Sequence, residues 1–240
     1  MDDTRILLAH GNGGRLMREL ITDIFSRHLG NPLLDTDADA VTLPHVDGDI
    51  MVTTDGFTVE PLEFPGGDIG SLAVHGVVND LAVAGADPLY FTVSALIEEG
   101  LEVAVLDRYI TSFARAARQN HVAVVAGDTK VVRRGEGSGL YLSVAGIGVR
   151  RAATRFAMDR IAPGDVVLVS GPVGDHGIAV MLARAISWAT VASPPRVGSR
   201  MNLRSGKSRT ARVSGSTEAE SERSSPDRPN CSRASITAMP

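Results

Sequence analysis

The chain has 240 residues, a formal net charge of −4 and a single cysteine, Cys231. That length accommodates one large or two ordinary domains, the charge leaves no electrostatic footprint for nucleic acid, and one cysteine excludes an intrachain disulfide framework. No apolar run approaches the ~20 residues of a membrane span, and the acidic start Met1-Asp2-Asp3-Thr4 lacks the apolar core of a signal peptide, so a cytoplasmic protein with neither nucleic acid nor membrane as partner is expected.

In chain order, His10 to Gly14 reads as a glycine-rich loop, followed by a helical pattern in which Leu16, Leu20, Ile21, Ile24 and Phe25 recur at helical spacing. Asp49 to Asp55 reads as a buried strand carrying Ile50, Met51 and Val52. Ser71 is a plausible cap for an almost uniformly apolar, buried helix through Ala86, stopped by Gly85 and Pro88. Tyr90 to Ile97 is a strand rich in β-branched and aromatic residues. Leu101 to Gln119 is an amphipathic helix with Val105, Ile110, Phe113 and Ala117 toward the core. His121 to Ala126 is a strand ending at Gly127-Asp128, and a hairpin-like connection at Gly137-Ser138-Gly139 leads to a strand over Leu140 to Val149. After a break around Arg150 to Gly164, Val166 to Ser170 starts a further strand and Gly174-Asp175-His176-Gly177 opens a helix.

The pattern predicts a mixed α/β domain over residues 1–155, the beginning of a second domain over 156–185, and a tail over 186–240. Residues 1–185 carry a net charge of −9 and residues 186–240 one of +5; the tail holds 12 serines and 8 arginines among its 55 residues and almost no apolar periodicity. Such a composition cannot bury enough surface to offset its ordering entropy, so disorder is expected there.

Several acidic positions share one grammar, a strand or turn end followed by aspartate: Asp39, Asp55 and Asp128, joined from the helix by Asp80. A carboxylate inside an apolar helix is costly unless something positive meets it. Hard oxygen ligands of this kind suit magnesium completed by substrate phosphates. Strand ends of an α/β sheet are where ligands bind. Lys130, the single lysine in the first 185 residues, follows Asp128-Thr129 and offers a point charge for phosphate. Gly11, Asn12, Gly13 and Gly14 could bring backbone N–H groups to a phosphate at a helix start. His75 reads as a core histidine and His176 as a turn residue.

The order of these motifs carries a resemblance. His-Gly-Asn-Gly-Gly-Arg (10–15), Thr-Thr-Asp-Gly-Phe (53–57), Phe-Pro-Gly-Gly-Asp-Ile-Gly (64–70), Val-Asn-Asp-Leu-Ala (78–82) and Gly-Asp-Thr-Lys-Val-Val (127–132), continued by Asp165 to Ala185, resemble the HypE family of hydrogenase expression/formation proteins. The family is related to aminoimidazole ribonucleotide synthetase, selenophosphate synthetase and thiamine-monophosphate kinase. The resemblance implies an aminoimidazole ribonucleotide synthetase-like α/β domain, a mixed sheet with flanking helices, that forms a homodimer and precedes an α+β domain. It implies ATP and magnesium as cofactors, with Asp39, Asp55 and Asp80 at the metal; the reading of the residues adds Asp128 at or just behind the metal and Gly11–Gly14 and Lys130 at phosphates. It also implies the ATP-dependent dehydration of a carbamoyl thiol to a thiocyanate, source of the iron cyanide ligand of [NiFe] hydrogenase, with a carbamoyltransferase and an iron-cyanide scaffold as partners. Family members end in Pro-Arg-Ile-Cys. Here nine residues follow Cys231, so the resemblance assigns no catalytic residue, and a truncated or frameshifted member is expected. Two other readings stay open: a catalytically inactive nucleotide-binding or docking module, and a small-molecule kinase related to thiamine-monophosphate kinase, against which the Phe64–Gly70 motif argues.

Overall fold

The structure, a computed structural model, describes residues 3–151, 156–167, 169 and 171–192. The domain boundary near 155 and the tail from 193 onward lie outside the described residues. A helical segment begins with α1 (Gly14–Leu20), passes through a π-helical turn (Ile21–Ser26) and ends in the short α2 (Arg27–Leu29). After an extended stretch come β1 (Asp49–Phe57), the small β2 (Glu63–Phe64) and β3 (Gly67–Asp68) pair, and α3 (Ile69–Val83). Then follow β4 (Asp87–Glu98), α4 (Val103–Gln119), β5 (Ala123–Val132), β6 (Leu140–Arg150) and α5 (Asp175–Ala192).

The main sheet has the order β1-β6-β4-β5, with β4 and β5 parallel and the other pairs antiparallel, so the expected mixed sheet is present. One face is the core. Phe57, Leu142, Val144, Phe91, Val93, Ala95 and Ile97 point into it and are buried. α3 lies on β1 and β6 through its buried stripe Ile69, Ala73, Val74, Val77 and Leu81. α4 packs on α3 through Leu106, Ile110, Phe113 and Ala117, and Phe113 meets Phe91 edge-to-face at 6.4 Å. The other sheet face is open.

That one-sided burial corrects several expectations. β1 is an edge strand, not a buried one: Ile50 and Val52 are 55% and 68% exposed on the open face. α3 is apolar nearly all round, yet only one stripe is covered, leaving Asn79, Asp80 and Val83 exposed. Its cap is Asp68, not Ser71. The Asp68 carboxylate accepts from the Ser71 backbone N–H at 2.9 Å and Asp68 N–H donates to Ser71 Oγ at 3.1 Å, a reciprocal box. Gly85, at φ 77°, does end the helix.

β5 runs through Gly127-Asp128 to Val132 because its second half still has β4 as a partner. Gly137–Gly139 closes no hairpin, since β4 lies between β5 and β6. Among the described residues of the expected strand Val166–Ser170 there is no strand; Val166, Val167 and Val169 are all exposed, with no edge to pair with. α5 runs past the expected tail start at Ile186 to Ala192.

α3 can lie so close to its neighbours because three contact points are glycines. A Cβ on Gly70 would stand 2.2 Å from the Tyr109 carbonyl oxygen and 2.9 Å from the Phe113 backbone nitrogen of α4. One on Gly146 would meet Val77 at 2.4 Å, and one on Gly76 would meet the Phe57 ring at 2.7 Å. Gly70 faces backbone, which cannot rotate away. Gly70→Ala is therefore expected to destabilise the fold by at least about 1–3 kcal/mol, the usual cost of overpacking, read as a lower urea midpoint at unchanged slope.

The β5–β6 connection has a different anchor. The Glu98 carboxylate accepts from the Gly135 N–H at 2.5 Å and the Gly139 N–H at 2.8 Å, and these bonds, with Arg134 nearby, lower its pKa. A lowered carboxylate contributes stability above its unfolded value of about 4.3 and loses it as pH falls through the folded value. Protection of the Gly135 and Gly139 amides in hydrogen exchange should accordingly fall on acidification below about pH 4, while protection in the core strand β4 persists.

Candidate nucleotide and metal site

Asp55 sits within β1, opposite Val144, on the face toward the helices; its Oδ1 accepts from the Gly56 N–H at 2.7 Å. α3 passes directly over it, and the missing side chain at Gly76 leaves room: a Cβ there would be 3.8 Å from Asp55 Oδ2. One helical turn beyond Gly76, Asp80 accepts a hydrogen bond from Thr53 Oγ1 at 3.1 Å. Thr53 and Asp55 share one strand face by the period of two, and Gly76 and Asp80 share one helix face by the i, i+4 spacing. The two carboxylates thus border a single strand–helix groove. Both are exposed, and among the described residues neither forms an ion pair. A pair of hard oxygen donors with no basic neighbour suits a divalent cation such as magnesium.

The expectation that Asp80 is a buried charge is corrected here. The helix turns it outward, where water and the Thr53 hydroxyl solvate it.

Asp39 and Asp128 lie elsewhere. They line a cleft of roughly 360 Å³ bounded by α1, the loop through Leu34–Val41 and β5, with Asp35 beside them. Asp128 pairs in register with Ser94, and Lys130, exposed, with Leu96. Both therefore point to the open face. Reading across the sheet, Asp55, Val144, Val93 and Gly127 form one row, so Asp128 belongs to the next row and the opposite face. Three interstrand steps separate β1 from β5, roughly 14 Å. Within one chain the four aspartates thus lie in two places, Asp55 and Asp80 on the strand–helix groove and Asp39 and Asp128 along the cleft, and among the described residues no group of three or more His, Cys, Asp or Glu side chains could hold a metal.

The Gly11–Gly14 segment is more structured than a loop. Leu8–Gly11 forms a 3₁₀ turn, and Gly13 caps α1. Gly11 is required by packing, since a Cβ would meet Val131 at 2.8 Å, whereas Gly13 and Gly14, at φ 77° and 79°, face open space where a ligand could approach. His10 is fully buried; its Nδ1 lies 2.9 Å from the Leu7 backbone nitrogen and its Nε2 3.5 Å from Asp3 Oδ2. His75 is not a core residue: it is half-buried and borders a second cleft. His176, in the first turn of α5, packs edge-to-face on Phe64 at 5.0 Å. Cys231 lies outside the described residues. Thr53 and Gly76 are the contributors that sequence reasoning missed; the alternation Thr53-Thr54-Asp55 was the signal available for the first.

Since the Asp80 carboxylate is solvated, Asp80→Asn should leave stability within about 0.5 kcal/mol of the parent chain, as for other surface substitutions. Thermal unfolding of the two chains without ligand checks this.

Residues 36–150 match the model of the AIR synthase related protein, N-terminal domain. The chain is 47% identical over 180 residues to the carbamoyl dehydratase HypE of Rhizobium leguminosarum bv. viciae, covering 75% of this chain and 51% of the relative. Among solved structures it is similar to a hydrogenase maturation protein HypE in complex with ATP, with 45% identity, a TM-score of 0.72, and coverage of 75% of this chain and 53% of that one. It is similar also to a chain of a HypE–HypF complex, with 45% identity, a TM-score of 0.57, and coverage of 72% and 54%. The chain spans about half the length of the curated relatives it matches. No helix among the described residues is long and apolar enough to cross a membrane. Over residues 36–150 the chain thus matches the N-terminal domain of AIR synthase related proteins, and over the wider stretch that these relatives share it is similar to HypE proteins.

Proposed function

We propose that this chain binds ATP with magnesium as the N-terminal part of a carbamoyl dehydratase acting in [NiFe] hydrogenase maturation in the cytoplasm. The observation that carries this reading is the groove in which Asp55 and Asp80 stand without a basic partner. It occurs in a chain whose relatives include one captured with ATP. Asp55 and Asp80 would hold magnesium from the β1 edge, Asp39 and Asp128 from the β5 edge. Gly11, Asn12, Gly13, Gly14 and Lys130 would hold phosphates. Magnesium supplies neutralisation of the charge that develops on a phosphoryl group in transfer. In the reaction, a carbamoyl thiol's carboxamide oxygen takes the γ-phosphoryl group of ATP, releasing ADP, and the amide nitrogen gives up one proton, so that a poor leaving group becomes a good one. Loss of phosphate and a proton then leaves the thiocyanate. No catalytic thiol in this chain is assigned, Cys231 included.

The two aspartate locations favour a homodimer. Two copies facing each other through their open sheet faces, related by a two-fold axis along the strands, set β1 of one copy over β5 of the other. That arrangement would bring the Asp55–Asp80 edge toward the Asp39–Asp128 edge. The open face presents Ile50, Val52 and Leu96 for such a contact. A carbamoyltransferase and an iron-cyanide scaffold are the partners the reading requires, and a relative was solved in a complex with HypF. The half-length coverage favours one second reading, a module that binds nucleotide and partners without turnover. A carbamoylation assay with a transferase separates it from the first.

Calorimetric titration tests the site. Asp55→Asn and Asp80→Asn should each weaken magnesium-ATP binding at least tenfold, about 1.4 kcal/mol; unchanged affinity in both would remove the site. Mixing Asp55→Asn with Asp128→Asn chains should restore parental affinity in a fraction of sites if they are shared between copies, and in none if each copy builds its own.

A further inference from the structure

A second cleft, of roughly 420 Å³, opens at the other end of α3, between α3, α4 and the β2–β3 hairpin. Gly70 brings α3 against the backbone of α4 at Tyr109–Phe113, and the cleft lies beside this contact, where interhelical seams are ordinarily apolar. Here it is polar from both sides. α4 contributes Ser112, Arg115 and Gln119, which share a face at i, i+3 and i+7, and α3 contributes His75.

The bonding state of these groups is informative. The carboxylates bordering the cleft are already engaged: Glu63 pairs with Arg108 at 3.0 Å, and Asp68 caps α3. The donors are not. Ser112 Oγ is buried, in a residue only 4% exposed, and has no hydrogen-bond partner among the described residues. An unsatisfied buried hydroxyl costs about 1–3 kcal/mol, so its retention beside a polar cleft calls for a ligand. Neither Arg115 nor Gln119 has a hydrogen-bond or ion-pair partner among the described residues, and burial lowers the His75 pKa, keeping the ring neutral at pH 7. One uncompensated positive charge, an amide, a hydroxyl and an imidazole thus converge on a space large enough for a small molecule.

We propose that this cleft binds a small oxyanion, a phosphate or a carboxylate, with Arg115 as its charge partner and Ser112, Gln119 and His75 as hydrogen-bonding partners. The arginine fork matches both anions in a bidentate manner. The site is separate from the residues proposed for magnesium-ATP. Asp80 lies five residues beyond His75 along α3, about 7.5 Å of helix rise, on the groove facing β1. Occupancy of the cleft therefore requires neither nucleotide nor metal.

The test uses the full chain without ATP or magnesium, at ionic strength held constant with sodium chloride. Inorganic phosphate and acetate are titrated in separate arms while the Gln119 side-chain amide and the His75 ring are followed by NMR. Saturable shifts at both groups are expected, at millimolar concentrations for an ion held by a few hydrogen bonds. The His75 titration midpoint should rise, because a bound anion joins the Glu63 and Asp68 carboxylates in favouring the protonated ring and offsets the opposing charge of Arg115. A response to phosphate alone assigns a phosphorylated ligand, a response to acetate alone a carboxylate-bearing one, and a response to both a cleft that takes either oxyanion. Arg115→Gln, at an exposed position, should weaken binding at least tenfold, and Ser112→Ala should weaken it while removing the orphaned hydroxyl. Absence of saturable shifts in both arms, or equal affinity in Arg115→Gln, would overturn the assignment.

Discussion

Much in this domain depends on how closely α3 can approach its surroundings. The helix lies between the sheet and α4, and at Gly70, Gly76 and Gly146 the approach leaves no space for a β-carbon. Interiors packed to this density transmit displacement rather than absorb it. A helix lifted by an ångström would therefore move every group it carries. Those groups lie along its whole length: the Asp68 cap, His75 on the second cleft, Gly76 above Asp55, and Asp80 against Thr53. The same contact that closes the core places the Asp55–Asp80 groove and the polar cleft on one rigid element.

The distribution of charge follows from the sheet. A strand's side chains alternate between faces, so a shift of one row decides whether a carboxylate meets the helices or the open side. Asp55 falls in the row of Val144 and Val93 and faces α3, while Asp128 falls one row on and faces outward with Lys130. The chain consequently carries Asp55 and Asp80 at one sheet edge and Asp39 and Asp128 along a cleft at the other.

Exposure of apolar side chains is uneven along the chain. Phe156, Met158, Ile161, Val166, Val167, Val169 and Val173, with Ile178, Met181, Leu182 and Ile186 of α5, all lie on the surface, whereas residues 3–151 expose few of comparable size. The segment still has defined attachments: Arg184 Nε donates to the Glu60 carbonyl at 2.6 Å, and His176 packs on Phe64. α5 is thereby tied to the β2–β3 hairpin, next to the residues that line the polar cleft.

Local pattern alone was enough to place most elements. The helical period in Leu16–Phe25 and Leu101–Gln119, the β-branched runs at Tyr90–Ile97 and Leu140–Val149, and the stop at Gly85 are each signalled within a few residues of where they act. The spacing and order of the glycine and aspartate motifs likewise carried the family. What the sequence could not decide was neighbourhood. Gly127-Asp128 looked like a strand end and Gly137–Gly139 like a hairpin because nothing local reveals that β4 intervenes between β5 and β6. Ile50 and Val52 looked buried because an apolar side chain does not disclose whether its sheet face is covered. Asp80 looked like a buried charge for the same reason, since α3 is apolar on the sides facing both protein and water. Composition and periodicity act over a turn of helix or two residues of strand; burial, register and the pairing of Thr53 with Asp80 arise only when segments 27 residues apart in sequence are brought into contact.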